Sequence, residues 1–255
     1  MQEPAFPVKG LKPDEADILP TMKDFTVNAT LDISYFYKGE KRMGVVETTE
    51  ISVAKNGDYE LGVLREWEKA GEGSGGARRD AIWTGGKFFV RGRSAKFVLW
   101  EDAVMEQFEW RKERLEYLRA LLATILPFST IDETGSKIVF EGEEARLFTL
   151  SGKKQPGAEK SPDGFAAWFV KNYSPVSVEG KIIAGAETGA PLKGDISCAF
   201  RTIIGGREVE MQLKYSYAAK KSDAEIKITA PEEYLSGKRE RTVKMIREIL
   251  GEDAM

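Results

Sequence analysis

Residues 24–38 read DFTVNATLDISYFYK, and this stretch decides the fold. Its odd positions are apolar from Phe25 to Tyr37, while most of its even positions are polar. Strict alternation predicts a β-strand with one dry face, because successive side chains of a strand point to opposite faces. A run of about fifteen residues is roughly three times the usual strand length, which is typical of large, curved antiparallel sheets.

The same alternation returns on both sides of the middle of the chain. The pairs Asn56-Gly57, Gly85-Gly86 and Gly205-Gly206 predict hairpin turns between successive strands, since these residues readily adopt positive φ. The glycine-rich residues 71–76 are predicted to form a flexible connector. They do not match a phosphate-binding loop, because they lack its Lys-Ser/Thr ending. The predicted fold class is therefore α+β, mostly β, with one large curved antiparallel sheet forming an unclosed barrel.

Three segments change to a helical period. Residues 101–128 carry apolar side chains at spacings of three, four and seven and end at Pro127, which predicts one long amphipathic central helix. A short aromatic helix is predicted within residues 164–175, and Pro231 is predicted to open a C-terminal helix with Leu235, Val243, Ile246 and Leu250 on its apolar side. We expect the central helix and the short helices to form a lid over the sheet.

The strands before and after the central helix have the same character, so no internal domain boundary is evident. We predict a polar tether or short helix over residues 1–22 and a single half-barrel domain over residues 23–255. Residues 1–20 contain no apolar core of a signal peptide.

Composition excludes several kinds of chemistry. The 255 residues include no His and one Cys, Cys198, so His-dependent hydrolases and multi-thiolate metal sites are absent. A net charge of −3 disfavours nucleic-acid binding, and no apolar run reaches 18 residues, so we expect membrane contact to be peripheral at most. We therefore expect no metal, no cofactor, no catalytic residues and no enzymatic activity.

Carboxylates leave one enzymatic alternative open. Two facing acids could cleave a glycoside as acid and base, with tryptophans as a sugar platform. Surface acids are far more common, because charged side chains are mostly exposed. The candidates are Glu47, Glu50, Asp80, Glu101, Asp102 and Asp195.

The apolar strand faces are the strongest functional signal. A sheet that is only partly lidded leaves an apolar cleft, which can accept an acyl chain at about 0.8 kcal/mol per buried CH₂. An ordinary core filled by side chains is the competing interpretation. The predicted ligand-binding residues are Val27, Leu31, Ile33, Tyr35, Leu61, Val63, Trp83, Phe88, Val90, Leu115, Leu118, Leu122, Ile196, Phe200, Met211, Leu213 and Tyr215.

The long first strand, the successive hairpins, the central helix and the late strands of residues 180–235, with their ETGAPL turn, form a layout that resembles the bacterial lipoprotein-localisation superfamily. This superfamily includes the LolA and LolB carriers and the LppX-like lipoproteins. The resemblance implies a helix-lidded hydrophobic cavity and a periplasmic or membrane-anchored protein of the cell envelope. It further implies a lipid or the acyl chain of a lipoprotein as partner. The alternative is a structural or interaction subunit of an envelope complex without bound lipid, in which Phe36, Tyr173 and Tyr234 mark the surface for a protein partner.

Overall fold

The computed structural model describes residues 6–92, 96–100, 104–153 and 165–237. The helices are α1 Glu15–Thr21, α2 Val104–Leu115, α3 Tyr117–Ile125, the 3-10 turn Leu126–Phe128 and α4 Phe165–Asn172. The strands are β1 Phe25–Tyr37, β2 Glu40–Val53, β3 Tyr59–Lys69, β4 Gly73–Thr84, β5 Lys87–Arg91, β6 Phe97–Trp100, β7 Ser129–Phe140, β8 Glu143–Gly152, β9 Ser174–Gly185, β10 Pro191–Ile204, β11 Arg207–Lys221 and β12 Tyr234–Gly237.

The described strands form a single sheet in the order β12-β6-β5-β4-β3-β2-β1-β11-β10-β9-β8-β7. All neighbouring strands are antiparallel except β12, which runs parallel to β6. In this part of the chain β7 and β12 are the two edges and do not pair with each other, so the sheet is unclosed. The predicted fold class, mostly β with an unclosed curved sheet and few helices, is confirmed.

Strand β1 lies in the middle of the sheet and confirms the prediction made from its alternation. It pairs with β11 in continuous register from Phe25 to Phe36, and with β2 on the other side, where the register shifts between Tyr35 and Phe36. Phe25, Val27 and Leu31 are buried on the concave face. One long amphipathic strand thus joins the two halves of the chain.

Helices α2 and α3, the 3-10 turn and α4 form a helical layer over the concave face. Leu115, Leu118, Leu122 and Ile125 are buried in the same hydrophobic cluster as the strand residues. The segment before β1 contributes Leu11, Ile18 and Met22 to this cluster as well. The division into residues 1–22 and 23–255 stays a prediction.

The central helix differs from the prediction of one continuous helix. It bends at Glu116, whose φ of −90° and ψ of 7° separate α2 from α3. The backbone bonds from Glu116 N–H to the Lys112 carbonyl and from Ala120 N–H to the Glu116 carbonyl continue across the bend. Because the bend redirects the axis, α3 can press its leucines into the concave face while α2 remains more polar.

The prediction of a flexible connector at residues 71–76 is wrong. Gly73–Gly76 begin β4 and pair with β3. A Cβ placed on Gly75 would lie 2.6 Å from the Trp67 ring. The glycines therefore make room for an indole that lies across the strand.

The C-terminal segment also differs from the prediction. Tyr234–Gly237 form β12 instead of a helix, while Val243, Ile246 and Leu250 lie outside the described residues. After β11 the chain runs along one end of the sheet, where Ile226 N–H donates to Asp24 and Thr84 Oγ1 donates to the Ile228 carbonyl. This path delivers β12 to the otherwise unpaired edge of β6.

Candidate functional site

The seventeen predicted ligand-binding residues lie together between the sheet and the helical layer. Thirteen of them belong to the buried cluster, and the other four, Ile33, Tyr35, Trp83 and Val90, pack against it. They come from strands on both sides of β1 and from α2 and α3, so the fold gathers residues that are far apart in sequence. Their role in binding a ligand stays a prediction.

The helical layer fills much of the concave face. Leu115, Leu118 and Leu122 have no exposed surface. A groove of about 640 Å³ opens on the polar face of the sheet instead, where Thr30, Asp32 and Lys214 are among its lining residues. The three leucines therefore close the part of the concave face that they cover, whereas Ile196 and Tyr215 also line the groove.

Salt bridges anchor the helical layer to helix α1 and its N-terminal flank. The Arg111 guanidinium pairs with Glu15 and also donates to the Gly57 carbonyl at 3.2 Å. Arg119 pairs with Asp14, which precedes α1. These contacts hold α2 and α3 against the N-terminal segment at one end of the sheet.

Several polar groups are buried beneath the helical layer. The Gln107 side-chain amide and the hydroxyls of Tyr215 and Tyr217 have no hydrogen-bond partner among the described residues. Burial raises the pKa of both phenols, so each hydroxyl stays protonated and keeps a proton to donate. An unpaired buried polar group costs about 1–3 kcal/mol, so each of these groups is stabilised when a partner reaches it.

A small void of about 10 Å³, whose lining surface is mostly apolar, lies where α2 meets α3. That is about the room of one water molecule. The void is lined by Ala29, Leu31, Glu47, Thr49, Arg114, Tyr117 and Tyr215.

The charged pair of this void lies on the concave face. An Arg114 Nη atom donates to a Glu47 carboxylate oxygen at 2.7 Å, and both side chains are about seven-eighths buried. Arg65 approaches the same carboxylate at 3.4 Å, and Glu113, which is largely exposed, contacts Arg114 at 3.0 Å. The Tyr117 and Tyr215 rings stack nearby with centroids 5.6 Å apart.

Glu47 is among the candidate acids named from the sequence, for which surface exposure is the more common case, whereas Arg114, Thr49 and Tyr117 were not singled out. The signal for Glu47 and Thr49 was present, because they share the parity of the buried Ile51 and Val53 on β2. Nothing local in sequence indicates that Arg114 faces Glu47 across 67 positions.

The other candidate acids occupy different surroundings. Asp80 accepts hydrogen bonds from Arg78 at 2.8 Å and from Arg91 at 2.9 Å. Asp80 lies on the opposite face of the sheet from Glu47. Its neighbour Ala81 belongs to the buried cluster on the concave face, and successive side chains of a strand point to opposite faces. Glu101 and Asp102 lie outside the described residues. Burial raises the pKa of the Cys198 thiol to about 12, with a smaller contribution from Glu179, so this thiol stays protonated near neutral pH.

No family model and no curated protein matches this chain. Two solved structures are similar at low level. One is the attachment invasion locus protein Ail of Yersinia pestis, in complex with the heparin analogue sucrose octasulfate, at 6% identity and a TM-score of 0.18 over 78% of this chain and 100% of that chain. The other is a beta-barrel-like protein of the domain of unknown function DUF1849 from Brucella abortus, at 12% identity and a TM-score of 0.20 over 79% of this chain and 100% of that chain.

Scores this low carry no argument about fold or function. The comparisons give no evidence for the lipoprotein-localisation superfamily, and that resemblance stays a prediction. None of the helices in the described part of the chain combines the length and the hydropathy that crossing a membrane requires.

Proposed function

We propose that this chain is a non-catalytic lipid- or acyl-chain-binding protein whose ligand lies between the concave face of the sheet and the helical layer. The observation that carries the proposal is the interface itself. A continuous apolar face drawn from both halves of the chain is covered by helices, and the covered surface contains unpartnered polar groups. Such an interface is suited to opening and reclosing around an amphiphile.

The energies of opening and of binding are of the same size. Exposing the four buried leucines and Ile125 of the helical layer costs about 7–15 kcal/mol, at about 1.5–3 kcal/mol for each of five side chains. An acyl chain with about twelve to sixteen carbons returns about 10–13 kcal/mol when it replaces them. A shorter chain does not compensate for the opening, so the proposal predicts a preference for long chains.

Native mass spectrometry of the full chain, purified without detergent washing, tests for bound lipid. Titration with cis-parinaric acid, whose fluorescence rises in apolar surroundings, gives the affinity. Absence of both co-purified lipid and probe uptake contradicts the proposal.

A matched pair of variants locates the site. Ile33 lies on the concave face, whereas Leu64 lies on the other face of the sheet, where it is 36% exposed. We expect Ile33→Gln to lower the affinity for the probe by about tenfold, because the polar amide is placed against the acyl chain at a cost of more than 1 kcal/mol. Leu64→Gln leaves the affinity unchanged. If the two variants change the affinity for the probe equally, the ligand does not lie on the concave face.

The cell-envelope location is part of the proposal and rests on the resemblance alone. Fractionation of cells that express the natural gene, followed by detection with an antibody, tests it. Recovery of the protein in the cytosol overturns this part without affecting the lipid-binding site.

A second candidate function is that of an interaction subunit. It is supported by apolar side chains at the hairpin ends, where Ile203 is 74% and Trp67 is 39% exposed. Of the aromatics predicted to mark a partner surface, Tyr234 is exposed, whereas Tyr173 stacks on Phe169 at 4.3 Å and Phe36 is half-buried. A stoichiometric protein partner that is lost in Ile203→Ser, with no lipid bound in either protein, favours this candidate.

A further inference from the structure

We propose that the small void between α2, α3 and the strands β1, β2 and β11 receives the carboxylate of a fatty acid, with Arg114 as its cationic partner. The inference rests on the proposed function and adds the chemical class of the ligand. Its basis is a set of donors that exceeds what the protein itself uses at this place.

Two cations serve one buried acceptor in this void. Glu47 accepts from Arg114 at 2.7 Å and lies 3.4 Å from Arg65. If Glu47 remains paired with Arg65, the Arg114 guanidinium is available for a second carboxylate in bidentate geometry. Glu113 also contacts Arg114, but its carboxylate is 63% exposed, so water compensates readily when a ligand displaces it.

Tyr215 supplies an unused donor to the same place. Its side chain is buried and lines the void, and its hydroxyl has no partner in the described structure. Thr49 lines the void as well. A carboxylate has two oxygens, so Arg114 and Tyr215 together can satisfy both of them.

Size and surroundings select a carboxylate over a larger headgroup. The void has room for about one water molecule, so a carboxylate fits only when α2 and α3 shift away from the strands, and a bulkier phosphodiester requires a larger shift. Ala29 and Leu31 form its apolar side. These residues lead directly to Val27 and Ile33 on the concave face of β1, where the acyl chain lies under the proposed function.

The test compares cis-parinaric acid with its methyl ester in fluorescence titrations of the full chain at pH 8. The two probes share one acyl chain and differ in the charged head. We expect the acid to bind at least about tenfold more tightly, since a charge-assisted hydrogen bond to arginine is lost in the ester. Equal affinities overturn the carboxylate site while leaving the proposed function intact, whereas failure of both probes to bind overturns the proposed function.

Three variants and one control variant assign the roles. Arg114→Met lowers the affinity for the acid by about tenfold and leaves that for the ester within about twofold, because only the head interaction is lost. Tyr215→Phe lowers the affinity for the acid by about threefold, as expected for one neutral hydrogen bond. Arg201→Met, at an exposed arginine of β10, is the matched control and changes neither affinity.

The third variant, Glu47→Gln, protects the test against loss of folding. It removes the carboxylate that competes for Arg114, so the affinity for the acid rises by about threefold or more while that for the ester stays constant. A gain of affinity cannot result from an unfolded protein. A fall in the affinity for the acid, or a parallel change for both probes in Arg114→Met, overturns the assignment of Arg114.

Discussion

The hydroxyl of Tyr217 offers a direct measure of how poorly the interface under the helical layer satisfies its polar groups. The side chain is 2% exposed and its hydroxyl has no partner in the described structure. Removing an unpaired buried hydroxyl relieves a desolvation penalty of about 1–3 kcal/mol. The net gain in stability is somewhat smaller, because the packing contacts of one oxygen atom are lost. We expect Tyr217→Phe to raise the free energy of unfolding by about 1 kcal/mol and the Tm by about 2–4 °C.

Tyr59→Phe is the matched control for this change. The Tyr59 hydroxyl is equally buried but donates to the Gln107 carbonyl at 2.6 Å, so its removal lowers the free energy of unfolding by about 1 kcal/mol. Urea unfolding monitored by tryptophan fluorescence measures both variants. Destabilisation of Tyr217→Phe by as much as Tyr59→Phe would refute the reasoning, because it would mean that the Tyr217 hydroxyl makes a hydrogen bond in solution.

Alkaline pH separates these proteins further. Burial raises the pKa of Tyr217 above its usual value near 10, so the unfolded chain loses this proton first and the folded protein loses stability as pH rises above 10. In urea titrations, wild type should lose more stability than Tyr217→Phe between pH 10 and 11. Gly75→Ala should displace the Trp67 indole, because the new Cβ falls 2.6 Å from the ring. We expect a changed tryptophan emission maximum and a free energy of unfolding lower by about 1–2 kcal/mol. An unchanged emission spectrum counts against this. Burial raises the pKa of Glu116, so folding disfavours its charged carboxylate at neutral pH. Glu116→Gln should therefore be more stable than wild type at pH 7, and this difference should shrink below about pH 4.5. Urea midpoints that keep the same difference at pH 4 would contradict this.

The strands were predictable because their signal is local. Side-chain parity along β1 depends on neighbouring positions, so the buried set Phe25, Val27 and Leu31 can be identified in sequence before any partner strand is known. The hairpin at Asn56-Gly57 follows for the same reason, although Gly57 takes a positive φ there while Asn56 does not. The predicted ligand-binding residues share one face because the same parity repeats in β3, β10 and β11.

The missed features all depend on contacts between distant segments. Gly75 is in a strand because Trp67 of the facing strand covers it, and a run of glycines alone suggests flexibility. Tyr234–Gly237 became a strand because the edge of β6 was open to it. The Arg114–Glu47 pair arises only when α2 folds onto the sheet.

The position of β1 beside β11 has a consequence for biosynthesis. Strands β1–β6 follow one another in chain order on one flank, and β7–β11 follow one another on the other, so β1 and β11 form the seam between two sequential meanders. During translation, the edge of β1 that pairs with β11 remains unpaired until residue 221 has been synthesised. The nascent chain therefore exposes a long unpaired strand edge during this interval, and we expect pairing of β1 with β11 to be a slow step of folding, because it joins residues far apart in sequence.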